Sequence, residues 1–134
     1  ASLPESHNAD TGQQGVFRRG LLDFVLLRYA IDFCGGIDSL ALTHCDMWKQ
    51  IPSEVCDAYE INGSRLATLP RNDAEDLRAM ETLGQDITAA RLVTSTFPEV
   101  PLQRIKAIEE RLAARCGLLS DGPTWEHKHS PPAD

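Results

Sequence analysis

Four short segments hold residue types that could do chemistry. Arg18 and Arg19 stand side by side in Phe17-Arg18-Arg19-Gly20-Leu21-Leu22-Asp23. Guanidinium groups hold phosphate or carboxylate oxygens through forked N–H donors, although a solvated arginine pair at a helix start is the bland alternative, mildly opposed by the helix dipole. Ala41-Leu42-Thr43-His44-Cys45-Asp46 carries an apolar run into an imidazole, a thiol and a carboxylate. An aspartate just after a strand is most simply a helix cap. The third segment is Val55-Cys56-Asp57-Ala58-Tyr59, and the fourth Ser120-Asp121-Gly122-Pro123-Thr124. Glycine there allows close backbone approach and proline stiffens the turn, as they also would in an ordinary tight turn. His127 and His129 could be combined with a cysteine as metal ligands, as could His44 with Cys45, but the spacing of the first pair matches no zinc pattern.

The elements that must position these groups follow from periodicity. From Leu22, apolar residues at Val25, Leu26, Tyr29, Ala30 and Phe33 trace one helical face, and Gly35-Gly36 ends it. Ser39 to Thr43 is short, apolar and bounded by turn residues, so it reads as a buried strand. Glu54 to Ile61 and Ser64 to Leu69 read as strands joined at Asn62-Gly63, the strongest short hairpin signal because both turn positions need positive φ. Asn72 and Glu75 have N-cap character ahead of a helix carrying Leu77, Met80 and Leu83 and ending at Gly84. A short helix is expected around Ala89–Val93. Pro101 starts a further helix, with Leu102, Ile105, Ile108 and Leu112 inward and Glu109, Glu110 and Arg111 outward. Leu118 to Ser120 forms a last strand. In open α/β sheets ligands bind beyond the carboxyl ends of strands, where the second and fourth chemical segments both lie.

Composition narrows the function classes. A chain of 134 residues, 42% hydrophobic and 25% charged, fits one soluble domain. Its net charge of −7 gains nothing from counterion release, which argues against nucleic acid and anionic membranes as partners. No apolar run approaches a bilayer span and no signal-peptide pattern opens the chain. The four cysteines, Cys34, Cys45, Cys56 and Cys116, form no C-x-x-C pair and are expected to be buried, reduced thiols of a cytoplasmic protein. The first residue, Ala1, suggests a chain entered partway or trimmed.

Taken in order, the four segments resemble the C-terminal third of adenylosuccinate synthetase, over roughly residues 11 to 128. Arg18-Arg19-Gly20-Leu21-Leu22-Asp23 is similar to that family's arginine-rich loop running into a G-W-[LF]-D helix. Ala41 to Asp46 resembles its A-L-T-K-L-D strand, Val55 to Gly63 its V-C-x-A-Y hairpin, and Ser120 to Pro123 its S-x-G-P-x-R loop. The resemblance implies an α/β fold: a partial P-loop-NTPase-like sheet with flanking helices and a β-hairpin. It divides the chain into an irregular lead-in at 1–16, a domain at 17–127 and a mobile tail at 128–134.

The family makes adenylosuccinate from inosine monophosphate, aspartate and GTP with Mg2+. The resemblance therefore implies GTP and Mg2+ as cofactors, a purine nucleotide as ligand, and a missing N-terminal lobe or a homo-oligomer as partner. By the same resemblance His44, Asp46, Ser120, Gly122 and Pro123 bind the nucleotide base, and Arg18 and Arg19 bind phosphate or the amino-acid substrate. A carboxylate can accept two parallel hydrogen bonds from guanine N1–H and its exocyclic amine, which adenine cannot offer. Two departures stand out. The family's lysine before the aspartate is His44 here, and its T-T-G-R-x-R-R loop survives only as Thr11 to Arg19 with altered spacing. No G-x-x-x-x-G-K-[ST] or G-D-E-G-K-G run occurs, so no catalytic residue is expected in this chain and it should be inactive alone. The competing expectation is a non-catalytic relative that binds a nucleotide or a protein.

Overall fold

The computed structural model describes residues 20–71 and 76–132. Arg18 and Arg19, the lead-in at 1–16, and the Asn72/Glu75 cap lie outside the described residues. The remainder is mixed α/β, as expected, with two sheets and three helices among the described residues.

The first sheet is organised around β3 (Glu54–Ile61). β5 (Arg91–Thr96) runs antiparallel along one edge, from Glu54↔Thr96 to Glu60↔Arg91. The other edge is shared by β1 (Leu22–Asp23), parallel at Leu22↔Val55, and β4 (Ser64–Leu66), antiparallel at Ile61↔Ser64. The β3–β4 turn is Asn62-Gly63, with φ of 51° and 77°, the left-handed pair that the residue types require. Cys56 and Tyr59 share one buried cluster, although strict alternation would send residues three apart to opposite faces. A register irregularity between Cys56 and Ala58 inserts Asp57 as an extra residue and resets the alternation.

Helix α1 (Phe24–Phe33) leaves β1 without a loop. Its N-cap is Asp23, whose Oδ1 accepts from Val25 N at 2.9 Å and Leu26 N at 3.0 Å. The Tyr59 hydroxyl donates to the other oxygen, so one carboxylate caps the helix and ties it to β3. The expected apolar face holds at Val25, which is fully buried, but is otherwise corrected: Leu26 and Phe33 are 41% and 45% exposed, whereas Phe24 is buried with Leu27 and Ile31 packed on its cluster. Starting the helix at Phe24, straight off a paired strand, turns that side towards α3 (Pro101–Leu112).

Helix α2 (Leu77–Ala89) passes through Gly84 rather than ending there, and the helix expected at Ala89–Val93 is instead the start of β5. An interior glycine costs about 1 kcal/mol relative to alanine, an amount that packing can offset. Ile87 and Ala90 pack on Val25, Cys56 and Tyr59. Local pattern did not show that residues 91–96 would pair along nearly the whole of β3.

Helix α3 begins at Pro101 as expected, with Ile105, Ile108 and Leu112 buried but Leu102 46% exposed. Arg111, expected to face outward, lies with its guanidinium 5.1 Å from the Phe24 ring and 5.7 Å from Phe97, while its Nε donates to Asp57 Oδ1 at 3.2 Å. The cation is stacked on aromatic faces and anchored by a carboxylate. Cys34 is exposed and Cys45 half-buried; only Cys56 and Cys116 are buried, and all four thiols are free.

The second sheet positions the chemical segments. β2 (Leu40–Leu42) is parallel to β6 (Cys116–Ser120), with Ala41↔Leu118 and Leu42↔Leu119. β7 (Lys128–His129) returns antiparallel, pairing Leu119↔His129 and Ser120↔Lys128. The first two residues of the expected tail are therefore a strand. No helix among the described residues is long and apolar enough to cross a membrane.

Candidate functional site

Because β2 and β6 are parallel neighbours, both chains leave the sheet at the same end. Past Leu42 the backbone turns through His44, which holds a left-handed φ of 57°, into a 3₁₀ turn at Cys45–Met47. His44 occupies the cap position without a side-chain capping bond, and Asp46 lies in the first turn. Asp46 is therefore not the cap that its position after a strand suggests. It is exposed, and no group among the described residues bonds its carboxylate.

Past Ser120 the chain makes a closed loop. Asp121 N donates to His127 O at 3.1 Å, and in a reciprocal cap of the turn Trp125–His127 the Thr124 N–H donates to His127 Nδ1 at 3.4 Å, with Thr124 Oγ1 2.7 Å from the same nitrogen. Gly122 is required here by space: a Cβ would fall 2.5 Å from the His127 ring. Ser120 is buried and its hydroxyl donates to Gly122 O at 3.1 Å.

Between the two strand ends lies a cleft of about 440 Å³ lined by Cys45, Asp46, Trp48, Pro101, Ile105, Leu119, Asp121, His127 and His129. Trp48, Ile105 and Leu119 are buried and form an apolar floor. The carboxylates and imidazoles form the rim, where His129 Nδ1 lies 3.9 Å from Asp121 Oδ2. Such a cavity suits a flat heteroaromatic ring with hydrogen-bond donors on its edge. Burial pushes the Cys45 thiol above its usual range, and Cys45 Sγ donates to Leu42 O at 3.4 Å. It acts as a neutral donor within the wall and not as a thiolate.

The sequence matches the family model for adenylosuccinate synthetase over residues 4–129. It is 36% identical over 126 residues to the adenylosuccinate synthetase of Streptomyces coelicolor, covering 84% of this chain and 29% of that protein. It is 34% identical over 129 residues to that of Oleidesulfovibrio alaskensis, covering 91% and 29%. For Desulfovibrio desulfuricans the identity is 32% over 115 residues, covering 78% and 26%. The chain belongs to the adenylosuccinate synthetase family. It spans less than a third of the length of these synthetases.

Of the residues that the synthetase resemblance singled out, Asp46 lines the cleft directly, while Ser120, Gly122 and Pro123 belong to the loop that brings Asp121 to it. His44 is exposed and its Nδ1 lies 3.1 Å from Thr43 Oγ1; it is not among the lining residues. Trp48, Ile105, His127 and His129 were not foreseen as part of this site. Pairing of β7 with β6 brings the two histidines in, whereas the sequence alone showed only a polar, proline-containing end.

Proposed function

We propose that this chain is the guanine-recognising, C-terminal portion of an adenylosuccinate synthetase, an enzyme that joins inosine monophosphate to aspartate at the expense of GTP. The observation that carries the reading is the Asp46 carboxylate, without a bonding partner among the described residues, in an apolar-floored cleft that Asp121 of the Ser120–Thr124 loop also lines. A purine would lay its faces against Trp48, Ile105 and the loop, and turn its donor edge to Asp46. Guanine offers two donors in line; adenine offers a ring acceptor in place of one of them and leaves the carboxylate mismatched.

Phosphoryl transfer depends on clamped phosphates and a metal. Among the described residues no group of three or more His, Cys, Asp and Glu could hold a metal ion. These 134 residues alone should bind the base weakly, at about millimolar affinity, without turnover. Leu26 and Phe33 on α1 and Ile37 just beyond are 41–45% exposed. That apolar side supports a partner surface, either the remaining lobe of a synthetase or a second copy of the chain.

Trp48 on the cleft floor is a built-in reporter, and Trp125→Phe silences the other tryptophan, which is 81% exposed. In that background GTP should perturb Trp48 fluorescence at lower concentration than ATP, and Asp46→Ala should erase the difference. Equal responses to GTP and ATP before Asp46 is changed would sink the guanine assignment.

A further inference from the structure

We propose that Lys128 is a positioning residue for base recognition: its ammonium group locks the Ser120–Thr124 loop into the shape that faces Asp46 across the cleft. The inference rests on the guanine reading above and extends it to a side chain that does not itself line the cleft. Register places Lys128 directly opposite Ser120. From there Nζ donates to Ser120 Oγ at 2.7 Å, Gly122 O at 3.1 Å and Thr124 O at 3.0 Å. A lysine ammonium has three N–H donors, and all three are used within one five-residue loop. Ser120 Oγ in turn donates to Gly122 O, so the serine, the glycine carbonyl and the cation form one ring.

The other side of the loop is closed by Asp121 N to His127 O and by the His127 ring under Gly122. Without Lys128, water can satisfy the exposed Gly122 and Thr124 carbonyls separately, but no single donor then draws the three acceptors together, and the loop is free to open. Opening shifts Asp121 and His127, which line the cleft with Asp46, while the rest of the sheet stays paired. Arginine keeps the charge, but its planar fork cannot send three bonds from one nitrogen to convergent oxygens.

The test compares Lys128→Met and Lys128→Arg with the unaltered chain, all in the Trp125→Phe background. GMP and AMP are titrated against Trp48 fluorescence, and hydrogen exchange is followed at the Asp121 and His127 amides. In K128M those amides should exchange about tenfold faster, GMP affinity should fall about tenfold, and the GMP-to-AMP preference should shrink. K128R should leave the preference low. The proposal is overturned if the amides stay protected in K128M. It is equally overturned if K128M loses GMP and AMP alike and K128R restores both, since the lysine would then act only as a charge for phosphate. If the unaltered chain does not prefer GMP, the base reading itself fails and this inference falls with it; faster exchange in K128M then marks the failure as one of ligand and not of loop.

Discussion

Replacing Asp46 by asparagine should exchange the base preference of the cleft rather than merely weaken it. Asp46 presents two acceptors; asparagine presents one acceptor and one donor in nearly the same shape. Against guanine, the new N–H group meets the exocyclic amine, so one charge-assisted bond is lost and two donors are forced together. A hydrogen bond to a charged group contributes about 1.5–3 kcal/mol when sheltered. Asp46 is exposed, and screening at the rim brings bond and clash together to about 2–3 kcal/mol. That corresponds to roughly 30- to 150-fold weaker guanine binding, enough to move an affinity of about millimolar beyond measurement. Xanthine keeps the N1–H donor but has a carbonyl where guanine has its amine, which complements the asparagine amide. Titrating GMP and XMP against Trp48 fluorescence should show the unaltered chain responding to GMP only and Asp46→Asn to XMP only. Circular dichroism and urea midpoints are expected to match, because no described group depends on this carboxylate. If D46N still prefers GMP, or if a folded D46N gains nothing for XMP, Asp46 does not read the base.

Three other outcomes test the scaffold. Asp23→Ala should lower unfolding free energy by about 2–4 kcal/mol, combining a lost cap with a buried Tyr59 hydroxyl left unpaired; Tyr59→Phe should cost less, and urea titrations giving D23A within about 0.5 kcal/mol of the unaltered chain would refute the double role. Stability should decline in alkali, because burial, then the Asp23 charge, push the Cys56 thiol up to about 11, and burial with the Asp23 hydrogen bond also raises the Tyr59 phenol. The folded state holds the Cys56 proton longer, so this contribution is full below about pH 9 and is lost as pH rises towards 11; Cys56→Ala should flatten the slope by about 1.4 kcal/mol per pH unit in that window, and an unchanged slope contradicts the assignment. Gly122→Ala should destabilise the loop by about 1–3 kcal/mol through its clash with the His127 ring; in a His127→Ala background the cost should fall by more than half, and equal urea-derived costs in both backgrounds would rule the clash out.

What could be read in advance was governed by local chemistry. Asn62-Gly63 must turn with positive φ, Pro101 is suited to start a helix, and Leu40–Leu42 reads as a strand; each stands where expected, although β2 lies at the sheet edge with Ala41 exposed and its leucines half-buried, where a buried strand was expected. The misreadings share a different cause. Residues 91–96 carry no decisive period of their own and become a strand because β3 offers an open edge. The face of α1 was right at Val25 but misjudged at Leu26 and Phe33, because its start is set by pairing of Leu22 with Val55, a contact between distant segments. Arg111 reads as surface charge until Phe24, Phe97 and Asp57 are brought around it.

The same division runs through the candidate site. That two strand ends might carry a ligand was legible, since Ala41–Asp46 and Leu118–Pro123 each end an apolar run in polar and turn residues. Their meeting depends on parallel pairing of β2 with β6: in an antiparallel pair the same two ends would point to opposite edges of the sheet, and Asp46 could not share a cleft with Asp121. Lys128 was illegible for a related reason. Its place opposite Ser120 is a matter of β6–β7 register, and a shift of one residue would turn its side chain to the other face and bring a histidine into its place. On the proposed reading, base recognition by the cleft is thus tied to sheet register. Changes that slip β7 should abolish base discrimination while every residue lining the cleft keeps its identity.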